Sequence, residues 1–157
     1  MITEENELAK KISGGLSGVA GEYFVAAELS RRGYIATLTL KNTKGIDILV
    51  SDVNAKKSIA IQVKTNQGSR KSWVLTKKSE ELSSANLFYV FVNLKGENQF
   101  PDFHIVPSAI VASTITSGHQ AWLNTPAKSG KPHNDNNMRM FGDPSDDYLD
   151  RWDLLKF

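Results

Sequence analysis

The stretch GIDILVSDVNAKKSIAIQVK (45–64) decides the fold. Ile46, Ile48 and Val50 alternate with Asp47 and Leu49, and Ile59, Ile61 and Val63 alternate with Ala60, Gln62 and Lys64. A repeat of two marks a strand with one buried face, so both runs read as strands. The polar interval from Ser51 to Lys57 has the composition of a turn. Pairing about Asn54 and Ala55 sets position 47 opposite 62 and 45 opposite 64, and opposed residues share a face of the sheet. One face is then apolar, and the other collects Asp47, Gln62 and Lys64 at one end. A slip of one residue would turn a hydrophobic row to solvent, so burial of that row enforces the register.

Upstream, Gly18, Glu22, Ala26 and Leu29 recur at helical spacing between Ser13 and Gly33, with Phe24 and Val25 supplying bulk. The expected helix begins near Leu16 and stops at Gly33, and its small residues suit a close approach to the sheet. Tyr34 to Leu40 reads as a first strand, and Trp73 to Leu75 as a short strand extending the same sheet. Ser79 is placed to cap a brief helix through Glu80, Glu81 and Leu82. The continuous apolar run from Leu87 to Val92 reads as a strand covered on both faces. Phe103 to Val106 forms another, ended by Pro107, with Ser108 capping a helix from Ala109 to Ser113.

The segment 124–142, rich at its start in Pro, Gly, Ser and Asn, reads as a loop or lid carrying Lys128, Lys131, His133, Asp135 and Arg139. Residues 143–157 read as a C-terminal docking helix, with Asp146 and Asp147 in its first turn and Tyr148, Trp152 and Leu155 on one face.

The chain has 157 residues, 40% of them hydrophobic, enough for one substantial core, so residues 1–157 are expected to form one domain. The start lacks a basic region followed by an apolar one, no run is long enough for a membrane span, and the expected location is cytoplasmic. Without cysteine there is no disulfide or thiolate site, and three scattered histidines lack zinc spacing. A net charge of +2 is too small to argue for nucleic acid by itself. Its distribution says more. From Val53 to Ser79 there is no acidic residue, whereas Lys56, Lys57, Lys64, Arg70, Lys71, Lys77 and Lys78 are basic. Such an edge suits phosphate contacts or is a solvated face, and Trp73 either stacks on a base or packs at a strand face.

Glu22 on a helix, then Gly45-x-Asp47 opening a strand, then Gln62-x-Lys64 closing another, resemble in order and residue type the PD-(D/E)xK nuclease superfamily. The likeness is to its restriction-endonuclease-like and Holliday-junction-resolvase-like members, and it covers residues 13–95. It implies an α/β fold with a core of helix, three strands, helix and strand, in which a mixed sheet is flanked by helices. It further implies a metal-dependent nuclease acting on DNA, with Asp47, Gln62 and Glu22 around a divalent ion and Lys64 as catalytic lysine. Magnesium is the implied ion, with manganese as its substitute, and a homodimer follows by analogy alone.

Gln62 departs from the pattern, since an acid usually stands there. Oxygen donors still suit magnesium, which takes only one or two carboxylates and keeps several waters. The ion would polarise a phosphoryl oxygen and acidify a water, while Lys64 would orient that water or offset charge on phosphorus. The alternative is a nucleic-acid-binding domain of the same fold that lost its chemistry through Gln62.

Overall fold

A computed structural model describes residues 11–40 and 44–156. Ser13 caps the first helix, α1 (Gly14–Arg31), its hydroxyl accepting the Leu16 N–H at 3.2 Å. That cap starts the helix two residues earlier than the glycines led us to expect. It ends where Gly33 takes a φ of +88°, a left-handed conformation glycine adopts without steric cost.

Strands β1 (Ile35–Leu38), β2 (Ile48–Ser51) and β3 (Ser58–Gln67) follow as an antiparallel meander. Ile48 lies opposite Ile61 and Ser51 opposite Ser58, which is the register expected from the alternation. Asp52 closes the turn by accepting the Lys57 N–H at 2.7 Å. After β4 (Ser72–Thr76) and a 3-10 turn (Lys77–Glu80), β5 (Leu87–Leu94) returns parallel to β3, and β6 (Asp102–Pro107) runs antiparallel to β5. The main sheet has the order β1-β2-β3-β5-β6.

Helix α2 (Ser108–Asn124) and β7 (Met138–Gly142) complete the regular structure. Against one face of the sheet α1 buries Val25 and Leu29 on Ile48, Val50, Ile61, Val63, Val90 and Val92. On the other face Tyr89, Phe91 and Val106 are covered by Val111 and Ile115 of α2 and by Trp73, Leu75 and Phe141. The result is a mixed sheet flanked by helices. Among the described residues no helix is long and apolar enough to cross a membrane.

Five expectations need correction. The strand containing Trp73 does not extend the main sheet, because β4 pairs with β7 in a separate two-stranded sheet. Trp73 lies inward in that ribbon and donates its indole N–H to the Val92 carbonyl at 3.1 Å, so covering the main sheet satisfies it better than edge pairing would. The 124–142 segment is a loop over 125–137 but ends in a strand; Arg139 and Phe141 point inward from β7 while Met138, Met140 and Gly142 face out. The helix implied between the third strand and its parallel neighbour is replaced by β4 and the 3-10 turn, and the helix after Ser108 runs on to Asn124.

The fifth correction concerns 143–157. Asp143 accepts the N–H groups of Asp147 (2.9 Å) and Tyr148 (3.0 Å), four and five residues on, where a helix cap would bond those two or three residues on, and Asp146 and Asp150 hold positive φ. The chain instead hydrogen-bonds along β6, through Tyr148 O to Ile105 N and Asp150 N to Phe103 O, and covers that edge. Only a four-residue 3-10 turn (Trp152–Leu155) follows. Tyr148 packs on one side of the sheet, and Trp152 and Leu155 on the other.

Candidate active site

Strands β2 and β3 part at Asp47, and the side chain of that residue replaces the backbone where they do. Its N–H still bonds the Ile61 carbonyl at 2.8 Å, and its carbonyl accepts the Thr39 N–H at 2.9 Å. One step further, the Val63 N–H is met by the Asp47 Oδ2 at 2.7 Å. A carboxylate therefore stands in the seam between two strands, half-buried and fixed by a backbone donor. Gly45, at φ +68°, lies under the tip of Leu82, so the seam is walled by the segment that follows the 3-10 turn.

Gln62 lies beside Asp47, which bonds the backbone on either side of it, at the Ile61 carbonyl and the Val63 N–H. Its Oε1 is buried and among the described residues has no hydrogen-bond partner, a costly state that a ligand would relieve. Lys64 is half-buried two residues on, neighbouring Phe91 of β5. Tyr89 of β5 is the register partner of Gln62; it is fully buried, and its hydroxyl also makes no well-aligned hydrogen bond among the described residues. Burial pushes the Tyr89 phenol up from its ordinary pKa; Ser79 beside it pulls the other way, and the charge on Asp47 adds to the rise.

Glu22 is half-buried on α1, one residue beyond Gly21, and α1 packs on the face of the sheet opposite the one that carries Tyr89 and Phe91, the register partners of Gln62 and Lys64. Helix and strand approach so closely there that a Cβ on Gly21 would lie 3.0 Å from Thr65 Cβ and 3.1 Å from Thr65 Cγ2, with Oγ1 nearer still. Position 21 therefore needs glycine to bring α1 onto β3 next to Lys64.

The seven residues of the expected nucleic-acid edge divide. Lys56 and Lys57 sit at the hairpin tip, about 17 Å of strand from Asp47 at roughly 3.3 Å per residue, and Lys57 Nζ is held by the Lys156 carbonyl at 3.0 Å. Lys71 is ion-paired to Asp146 at 2.5 Å, and Lys77 approaches Asp135 at 3.9 Å. Arg70 and Lys78 are exposed and, among the described residues, form no ion pair. Trp73 is 1% exposed, so a base-stacking role for it is excluded.

Sequence reasoning missed Tyr89, hidden in an apolar run, and missed two histidine clusters. His104 Nδ1 meets Asp143 Oδ2 at 2.6 Å with both side chains buried. His104, Asp143 and Asp146 lie close enough to hold an ion. Yet both Asp143 oxygens are already engaged, by His104 and two backbone N–H groups, and Asp146 is engaged by Lys71. That cluster reads as a clasp fixing the C-terminal segment. His119 bonds Asp135 at 2.7 Å and holds that carboxyl below its usual range, while Trp122 stacks with His119 and His133.

The hard oxygen donors of Asp47 and Gln62, with a lysine on the same strand, fit a magnesium or manganese ion. The fold, moreover, has solved counterparts. Over 92% of both chains the structure matches a bacterial homing endonuclease, I-Ssp6803I, with a TM-score of 0.56 and 14% identity. Hjc from Archaeoglobus fulgidus, a Holliday junction resolvase, matches over 80% of this chain and 83% of its own, with a TM-score of 0.45 and 12% identity. No protein-family profile and no curated sequence matches the chain.

Proposed function

We propose that this protein is a metal-dependent nuclease that hydrolyses phosphodiester bonds in DNA, with its site at the parting of β2 and β3. The observation that carries the proposal is the meeting there of a backbone-fixed carboxylate, Asp47, with the buried, partnerless amide oxygen of Gln62. Asp47, Gln62 and Glu22 would hold the divalent ion. When bound, it supplies Lewis-acid polarisation of a phosphoryl oxygen and lowers the pKa of a water.

The protein's own groups do the rest. Val63 N–H fixes one Asp47 oxygen, which aims the carboxylate before any ligand arrives. Lys64 presents a compact cation to charge developing on phosphorus, a contribution that is largest in a partly water-excluded site. Leu82 walls one side of the seam. Exposed Arg70 and Lys78 supply phosphate contacts that position a duplex without reading its sequence. Nuclease-type architecture across nine-tenths of a homing endonuclease supports the same reading.

The test is cleavage of supercoiled plasmid with magnesium or manganese. Wild type should nick, and Lys64→Ala should lose nicking while keeping the wild-type melting temperature. Cutting by Lys64→Ala at the wild-type rate rejects the role of the lysine. Salt-sensitive DNA binding with no cutting under either ion identifies the catalytically silent binding domain, a reading favoured by the missing charge at Gln62.

A further inference from the structure

Two buried oxygens that form no hydrogen bond among the described residues belong to facing residues of β3 and β5. One is Gln62 Oε1, and the other is the hydroxyl of Tyr89, opposite Gln62 in the parallel register. Leaving a buried hydroxyl unsatisfied is costly, and native interiors pair the great majority of such groups. The ring itself is well anchored, stacked on Phe91 at 5.5 Å, and Phe91 stacks on Phe141 at 4.5 Å. The hydroxyl is therefore held rigidly beside the Ser79 side chain, which is near enough to influence it but, among the described residues, makes no well-aligned hydrogen bond with it. Asp47 lies close enough for its charge to be felt at the phenol.

We infer that Tyr89 is a positioning residue of the Asp47–Gln62 site, its O–H donating to a water in the hydration shell of the cation held there. The inference rests on the proposed metal-dependent reading and extends it to a residue that carries no metal-ligand chemistry of its own. The division of labour is chemical. Asp47 and Gln62 offer acceptor oxygens to a cation, whereas a phenol held in its neutral form offers a donor, which an ion cannot use directly but its waters can. Magnesium keeps several waters in protein sites, so such a donor has a partner whenever the ion is present. Outer contacts of this kind commonly change metal affinity by about 10- to 100-fold.

The test is manganese binding by calorimetry on wild type, Tyr89→Phe and Gln62→Ala, with a thermal melt of each protein in chelator. Tyr89→Phe should bind manganese about tenfold more weakly while melting in chelator no lower than wild type, because it removes a hydroxyl that has no partner there. Gln62→Ala should weaken binding as well. Unchanged affinity in Tyr89→Phe, with Gln62→Ala weakened, overturns the role of Tyr89 and leaves the site standing. A drop in its melting temperature without loss of affinity means the hydroxyl is bonded within the protein and also overturns the inference. No binding by wild type overturns the inference and the site together. A check on unaltered protein is the NMR shift of the Tyr89 ring carbon bearing the hydroxyl. It should move on titration with magnesium, and a resonance that stays fixed while the ion binds contradicts the inference.

Discussion

Gly21→Ala puts the approach of α1 to β3 under direct test. In a solvent-exposed helix interior the substitution would stabilise by about 1 kcal/mol, because alanine is the better helix former. Here the new methyl would lie 3.0 Å from Thr65 Cβ and 3.1 Å from Thr65 Cγ2, and nearer still to Oγ1. Carbon atoms prefer roughly 3.5–4.0 Å, so the helix would have to retreat by about half an ångström to one ångström. Thr65 cannot step aside fully, since no rotamer moves its Cβ. Overpacking of this kind costs about 1–3 kcal/mol. Set against the helix gain, the expected net effect is a loss of roughly 1–2 kcal/mol.

Urea denaturation followed by circular dichroism measures it as a lowered midpoint at unchanged slope. Thr65→Ala, which removes both offending branches and a buried hydroxyl without a partner, should be near neutral alone and should recover much of the loss in the double variant. Gly21→Ala should also lower nicking at temperatures where it remains folded, because α1 carries Glu22. A stabilised or unchanged Gly21→Ala, or strictly additive effects of the two substitutions, would refute the reasoning.

Trp73→Ala should destabilise by about 3–5 kcal/mol, whereas Trp73→Phe should keep wild-type DNA affinity in a filter-binding or anisotropy assay, as expected of a core indole. Asp143→Ala should cost about 3–5 kcal/mol by chemical denaturation, since it strands buried His104 and frees two backbone N–H groups. The hydrogen bond from His119 lowers the Asp135 pKa, so the contact contributes stability above the ordinary carboxylate range and loses it as pH falls through the lowered value. Melting temperatures of wild type and Asp135→Asn should thus differ near neutrality and converge in acid.

What the sequence could reveal depended on whether local pattern and tertiary need agreed. In the β2–β3 hairpin they did, because the Ile and Val rows must be buried together, and the same constraint set Asp47 beside Gln62. The Leu87–Val92 run likewise had one reading, a strand covered on both faces. Elsewhere a second partner decided the outcome. Met138 to Gly142 is a strand only because β4 needs one, and its alternation was masked by the loop composition before it. Asp143 has helix-start chemistry, yet its carboxylate is also committed to buried His104, which lies far away in sequence. Tyr89 was invisible for a simpler reason. Within an apolar strand nothing marks a phenol as polar, and only the register sets it opposite Gln62.

The central claim is that a divalent cation belongs between Asp47 and Gln62. Manganese-soaked crystals, read by anomalous diffraction, test it most directly. The account predicts a peak coordinated by an Asp47 carboxylate oxygen and Gln62 Oε1. A peak at His104, Asp143 and Asp146 with none at Asp47, or ordered manganese nowhere on the protein, would contradict it.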